Sequence, residues 1–266
     1  MNTPLNPSKT MRRSQVKQYL ACVLLVQMSS LAVAQTAASC NSVSTAQVKP
    51  LLELFTSEGC DSCPPVDRWL STISPKEQVN IMAWHVDYWD KLGWKDRFGL
   101  PEAAQRQSRL LRAVGSRNAY TPQTMVQGQS VFHQPTATVE RKFAEAGTAP
   151  SPVRLQLSQT AVNEGVVKFE VQSQSLNGDT YSVHAALLEN KLVSVVNAGE
   201  NKGATLKHDH VVRSWAGALA SSTKTNAVTH SLAIPKDAVQ SQLSLMIWAE
   251  DEHGLPVQSL ASSCGF

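Results

Sequence analysis

The stretch that most constrains the fold is Glu53-Leu54-Phe55-Thr56-Ser57-Glu58-Gly59-Cys60-Asp61-Ser62-Cys63-Pro64-Pro65-Val66-Asp67. Its apolar run reads as a buried strand and Gly59 as a turn. Pro64-Pro65 reads as a helix start, where a missing N–H costs nothing. Two cysteines with two residues between them therefore fall where a strand hands over to a helix. That spacing suits disulfide exchange, since one sulfur attacks a substrate disulfide and the other resolves the mixed disulfide. Cys60 is the expected nucleophile and Cys63 the resolving thiol. The alternative is a structural disulfide that never exchanges.

The neighbours qualify this chemistry. A residue before proline avoids the helical region, so the helix is expected to begin at Pro64 or Pro65, with its positive end away from Cys60. Glu58 and Asp61 flank Cys60 with negative charge, which disfavours a thiolate. Both effects predict a weakly acidified Cys60. The predicted potential is nearer the about −270 mV of thioredoxin than the about −120 mV of the strongest disulfide oxidants.

The first 34 residues read as a signal peptide. Lys9, Arg12, Arg13 and Lys17 make a basic region, Tyr19 to Leu31 is mostly apolar, and Ala32-Val33-Ala34 has the form of a cleavage site. The apolar core is too short to span a membrane comfortably. Cleavage removes four basic residues and no acidic ones, so the formal charge of +3 becomes −1. No basic stripe survives to bind nucleic acid, and no membrane contact is expected after cleavage. Export places the protein in the periplasm or outside the cell, an oxidising compartment.

Of five cysteines, Cys40, Cys60, Cys63 and Cys264 remain after cleavage. Four cysteines permit three pairings; the expected one joins Cys60 to Cys63 and uses Cys40–Cys264 as a structural staple. A zinc site lacks a second ligand pair at short spacing, so no metal and no cofactor are expected. The expected partners are protein or small-molecule thiols and disulfides, and the sequence leaves the oligomeric state open.

Between Val48 and about Gly147, short apolar runs alternate with helical patterns. Strands are predicted at 49–56 and 79–86, helices at 66–73 and 101–114, a hairpin at 123–126 and 130–133, and a last helix at 136–146. Asp87 to Asp96 is a loop carrying three aromatics. After the junction at 147–152 the texture changes to short strands at about 153–159, 166–174, 180–189, 205–213, 227–234, 242–250 and 256–260, the pattern of a β-sandwich.

A C-x-x-C after the first strand of a β-α-β-α-β-β-α order resembles the thioredoxin superfamily. Three motifs narrow this: residues 53–67, His85-Val86-Asp87-Tyr88-Trp89-Asp90 with Leu92-Gly93-Trp94, and Tyr120-Thr121-Pro122-Gln123. Over roughly residues 48–265 the chain resembles the secreted, thioredoxin-like bacterial family catalogued as domain of unknown function 1223. The resemblance implies an α/β thioredoxin-like domain (48–147) followed by a mostly antiparallel β-sandwich-like domain (152–264). It also implies a cis-proline, Thr121-Pro122, facing the dithiol; Tyr88 and Trp89, next to the end of the second strand, are read from that position as lining a substrate groove with His85 and Asp87. It brings no established activity.

Three residues are candidates for proton transfer: Glu53, near the buried acid that the thioredoxin resemblance implies but one residue out of register, with Leu54 in the matching place, and His85 and Asp87 at the end of a central strand. Each has a plainer reading, as a strand-edge ion pair or a loop anchor. In His208-Asp209-His210 the two histidines would share a strand face, but without a third ligand a solvated or interface pair is favoured. Met82, Trp84, Trp215 and Trp248 are expected in the core.

Overall fold

The computed structural model describes residue 1 and residues 40–73, 79–131, 137–163, 165–222 and 224–262. Its strands are β1 (Cys40–Val43), β2 (Leu51–Thr56), β3 (Asn80–His85), β4 (Gln123–Val126), β5 (Gln129–Val131), β6 (Val153–Asn163), β7 (Val166–Ser175), β8 (Tyr181–Glu189), β9 (Leu192–Val195), β10 (Thr205–His208), β11 (Val211–Ser222), β12 (Thr225–Ala233), β13 (Leu243–Glu250) and β14 (Pro256–Ala261). The helices are α1 (Pro64–Leu70), α2 (Pro101–Ala113) and α3 (Ala137–Thr148).

An eight-stranded sheet in the order β14-β13-β8-β11-β3-β2-β4-β5 carries most of the molecule. The β2–β3 pair is parallel, β11 meets β3 in parallel at a single register point, Val211 opposite Ala83, and the other pairs are antiparallel. A four-stranded sheet, β1-β6-β7-β12, and the separate β9–β10 hairpin complete the strands.

Period-two alternation sorts most buried side chains into three large cores, beside a small fourth of Phe98, Leu192 and Val211. Leu51 and Phe55 point to one face, with Ala186 and Leu188 of β8 and Met246 and Trp248 of β13; α2 covers them with Ala103, Leu110 and Leu111. Leu52 and Leu54 point to the other face, under Val66 and Leu70 of α1 and Val139 of α3. Further along that second face, Val183, Ala185 and Leu187 of β8 and Leu245 and Ile247 of β13 pack against Leu155, Leu157, Phe169 and Val171 of the four-stranded sheet. One face of the long sheet is thus covered by α2. The other is covered by helices at one end and by a second sheet at the other.

This corrects the expected fold class. The molecule is mostly β, and it is not an α/β thioredoxin-like domain followed by a β-sandwich-like one. Strands from before and after the 147–152 junction are hydrogen-bonded into the same sheet. The reason is the free edge of β3. An edge strand presents unpaired N–H and C=O groups, and here β11 takes them, with Ala83 N–H donating to His210 O at 2.8 Å. Local patterning predicts that β3 is a strand, not which distant strand completes it. Two strands, β1 and β9, have no counterpart in the sequence reading, and the run predicted at 205–213 is divided between β10 and β11.

Candidate functional site

At the end of β2 the chain turns through Ser57–Ser62. Ser57 Oγ accepts from Gly59 N–H at 3.1 Å, and Ser57 O accepts from Cys60 N–H at 3.2 Å. Position 59 is tight: a Cβ there would lie 3.3 Å from Trp89 Cβ, which would have to give by a few tenths of an ångström. Cys60 and Cys63 form a disulfide with Cα atoms 5.4 Å apart, and Cys63 caps α1. Cys63 holds helical angles (φ −76°, ψ −41°) although a proline follows. Both cysteines are fully buried.

The chain over them is the 196–204 loop of the β9–β10 hairpin. Asn201 Nδ2 donates to Glu58 O at 2.9 Å and to Cys60 O at 2.8 Å. Glu200 Oε2 accepts from Asp61 N–H at 3.3 Å. Gly199 (φ +71°) sits so close to Trp94 that a Cβ would be 3.0 Å from the indole's Cβ, and Trp94 Nε1 donates to Glu58 Oε2 at 2.8 Å.

Beneath this loop lies a cluster of buried ionisable groups: Glu58, Asp67, His85, Asp96 and His208. His85 Nδ1 and Asp96 Oδ2 are 2.7 Å apart. Asp96 also accepts from the N–H groups of Glu58 and Phe98, at 2.8 and 2.9 Å. His208 faces two carboxylates, Glu58 Oε1 at 3.4 Å from Nε2 and Asp67 Oδ2 at 3.9 Å from Nδ1. Its ring meets that of His85 edge-on, 4.8 Å between centroids. Neither carboxylate contact is a hydrogen bond, the first because it is off line and the second because it is too long. Thr56 Oγ1, Glu58 Oε1, His85 Nε2, Ser194 Oγ and both His208 nitrogens are buried without a well-formed partner. Each such atom costs about 1–3 kcal/mol, so their convergence beside a disulfide marks the place as a site.

The electrostatics divide the carboxyls. Burial pushes Asp67 up, and the pull of His208 and His85 does not bring it back to its ordinary value. Burial also acts on Asp96 and Glu58, but His85 and two backbone amides hold Asp96 below its ordinary range, and His208, Ser194 and Trp94 do the same for Glu58. His85 is disfavoured as a cation by burial, yet Asp96, Asp67 and Glu58 raise it above its ordinary value. Among the described residues, no group of three or more His, Cys, Asp or Glu side chains is placed to hold a metal ion.

The residues singled out from sequence fall in three places. His85 is in the cluster. Glu53 is buried in a different network, on the α2 side of the sheet: Arg106 Nη2 donates to its Oε2 at 2.9 Å, Arg106 Nε to its Oε1, and Trp84 Nε1 to Oε1 at 2.9 Å. Asp87 is half-buried, and its carbonyl accepts from Asp90 N–H at 3.1 Å. Thr121–Pro122 is a cis peptide, level with the end of β2 because the next residue, Gln123, pairs with Phe55. Tyr88 lies beside it; burial raises its phenol, against hydrogen bonding to Gln107 and Thr121. Trp89 packs on Gly59. The Cys40–Cys264 pairing and the signal peptide (1–34) lie outside the described residues, apart from the backbone of Cys40 at the head of β1.

His208 and His210 do not share a strand face. The chain turns between β10 and β11, with His210 at φ +59°, and His208 turns to His85 instead. Sequence reading missed Asp67, Asp96 and Asn201 as parts of the site. It also missed Gln107, whose Nε2 donates to Tyr120 O at 2.9 Å and Gln123 Oε1 at 2.7 Å and so braces the cis-proline segment. Asp67, four residues after Cys63 on a helix, was the one with a legible signal.

Comparison with known proteins places the chain in a family. Residues 51–250 match the family described as protein of unknown function (DUF1223), and the chain belongs to it. No curated protein matches. Among solved structures, the X-ray crystal structure of protein AGR_C_4864 from Agrobacterium tumefaciens is similar, at 24% identity and a TM-score of 0.61, over 82% of this chain and 95% of that one. The likeness is one of fold.

Proposed function

We propose that this member of the DUF1223 family is a thiol–disulfide exchange protein. Cys60–Cys63 is the exchangeable pair, Cys60 the attacked or attacking sulfur and Cys63 the resolving one. The observation that carries the reading is the setting of the disulfide: it sits against a cluster of buried, incompletely partnered ionisable groups and under a hairpin loop latched to it by hydrogen bonds. A purely structural bridge needs neither. Exchange then requires the 196–204 loop to lift. The substrate class is protein or small-molecule thiols and disulfides, met after export from the cytosol, with Pro122, Thr121, Tyr88 and Trp89 flanking the incoming chain.

The complete burial of both cysteines favours a second reading, a redox-inactive binding protein whose Cys60–Cys63 bridge stays closed. One titration separates them. The native protein is incubated with dithiothreitol, alkylated, and scored for modified Cys60 by mass spectrometry, with Cys60→Ser as control. The exchange reading expects alkylation at denaturant concentrations where the fold is intact. Reduction that begins only with global unfolding would establish the closed bridge. For an exchange protein, Cys63→Ser should also trap mixed disulfides through Cys60.

A further inference from the structure

Helix α2 carries Arg106, Arg109 and Arg112, three residues apart and so along one side of the helix. Glu53 and Glu250 hold the first of them. Glu250 has little left to give, since its Oε1 also accepts from Trp248 Nε1 and its Oε2 faces His184 Nε2 at 3.2 Å. Among the described residues, neither Arg109 nor Arg112 has an ion-pair partner. Arg109 is nonetheless half-buried, its guanidinium 5.6 Å from the centroid of the Trp215 ring.

Both unpaired guanidiniums border a cavity of about 560 Å³, with Ala113 of the same helix and His184, Glu250 and His253. The charge of this cavity is one-sided. Glu250 is matched by Arg106, and burial keeps His184 neutral down to about pH 4. The positive charge of Arg109 and Arg112 is therefore balanced by nothing in the wall. Burial works against the Arg109 cation, and the neighbouring Arg106 and Arg112 add to this, with Glu250 and Glu53 opposing at longer range. An anion between the two side chains would relieve that cost. It would also meet two planar forks that can each grip a pair of oxygens.

We propose that this cavity binds a small multivalent oxyanion, a carboxylate or a phosphate, between Arg109 and Arg112. The ligand is multivalent because a single negative charge would neutralise only one of the two arginines. The volume falls within the roughly 300–1,000 Å³ of small-molecule sites, so a whole organic acid or phosphate ester has room. The site is separate from the disulfide. Helix α2 covers one face of the long sheet and α1, which begins at the disulfide, covers the other. Anion binding therefore does not depend on exchange at Cys60–Cys63.

The test is isothermal titration calorimetry with citrate and, separately, with pyrophosphate, in about 0.15 M sodium chloride, which screens exposed charge pairs. Saturable binding of one ion per chain is expected; binding of citrate alone assigns a carboxylate ligand, and of pyrophosphate alone a phosphate. Arg109→Gln and Arg112→Gln should each weaken it about tenfold or more, the worth of a charged hydrogen bond. Arg117→Gln removes an exposed arginine outside the cavity wall and should leave binding unchanged. Arg109→Lys keeps the charge but loses the fork, so its affinity should fall between wild type and Arg109→Gln. No saturable binding of either ion, or full binding by both Gln variants, overturns the site. An equal loss in Arg117→Gln overturns it too, since the effect would then be one of net charge. If Arg109→Gln does not fold, Arg112→Gln decides, and unchanged binding by that variant overturns the site.

Discussion

Glu53 and Asp67 lie on opposite faces of β2 and at similar remove from Cys60 in sequence, yet their surroundings give them different work. Glu53 is engaged by Arg106 and Trp84, while Glu250 Oε1 accepts from Arg106 Nη1 at 2.6 Å and from Trp248 Nε1 at 2.6 Å. Burial disfavours the Arg106 cation, but Glu53 and Glu250 more than restore it, and the guanidinium stays charged. Removing one partner of such a buried pair strands the other. Arg106→Met should cost about 3–5 kcal/mol, read as a fall in the urea midpoint with an unchanged slope. A loss below about 1 kcal/mol would show that the network is worth no more than a surface pair. Asp67 has no such strong partner: burial raises its carboxyl, and His208 and His85 do not bring it back to its ordinary value.

At the scale of elements, the β9–β10 hairpin is the piece that holds the disulfide loop. It belongs to neither large sheet, so it can lift without breaking either ladder. Its tip holds the disulfide loop through Asn201, and its second strand carries His208 into the ionisable cluster. One element thus holds the backbone of the disulfide loop and contributes His208 to the cluster. Each hydrogen bond lost with Asn201→Ala is worth about 1 kcal/mol, so the open population, and with it the rate of native-state reduction, should rise roughly tenfold or more. An unchanged rate would mean that opening occurs elsewhere. Sequence patterning did not find β9, a four-residue strand of alternating burial that leaves Val193 and Val195 exposed.

Across the whole molecule, the face of the long sheet under α2 is tied together by aromatic and charged side chains from both halves of the chain. His184 of β8 stacks on Trp248 of β13, 5.3 Å between centroids and 14° between planes, and on Trp215 of β11 at 6.4 Å. Arg109 of α2 lies over Trp215 at 5.6 Å. Burial pushes His184 down to about 4, and Arg106 and Arg109 add to this against the pull of Glu250. The unfolded chain takes up this proton near pH 6.5 and the folded chain only near pH 4, so the unfolded state binds more protons throughout that interval. Stability is therefore lost as pH falls from about 6.5 to 4, by up to about 3 kcal/mol from this residue. His184→Gln should flatten the dependence of the melting temperature on pH in that range; a variant that tracks the wild type would locate the acid sensitivity elsewhere.

The sequence by itself determined what depends on neighbours along the chain: the period-two strands, the proline-led starts of α1 and α2, the proximity of Cys60 to Cys63 and the place of Pro122. It could not determine which strands share a sheet, because β3 and β11 meet across more than a hundred residues and hydrogen bonding through main-chain groups carries no side-chain signature. For the same reason His208 read as a neighbour of His210, when tertiary contact makes it a neighbour of His85, Glu58 and Asp67. Burial decided the rest. Asp67 and Glu53 are the same chemistry in the sequence, and only the groups packed around each one pair Glu53 with Arg106 and leave the Asp67 carboxyl raised by burial.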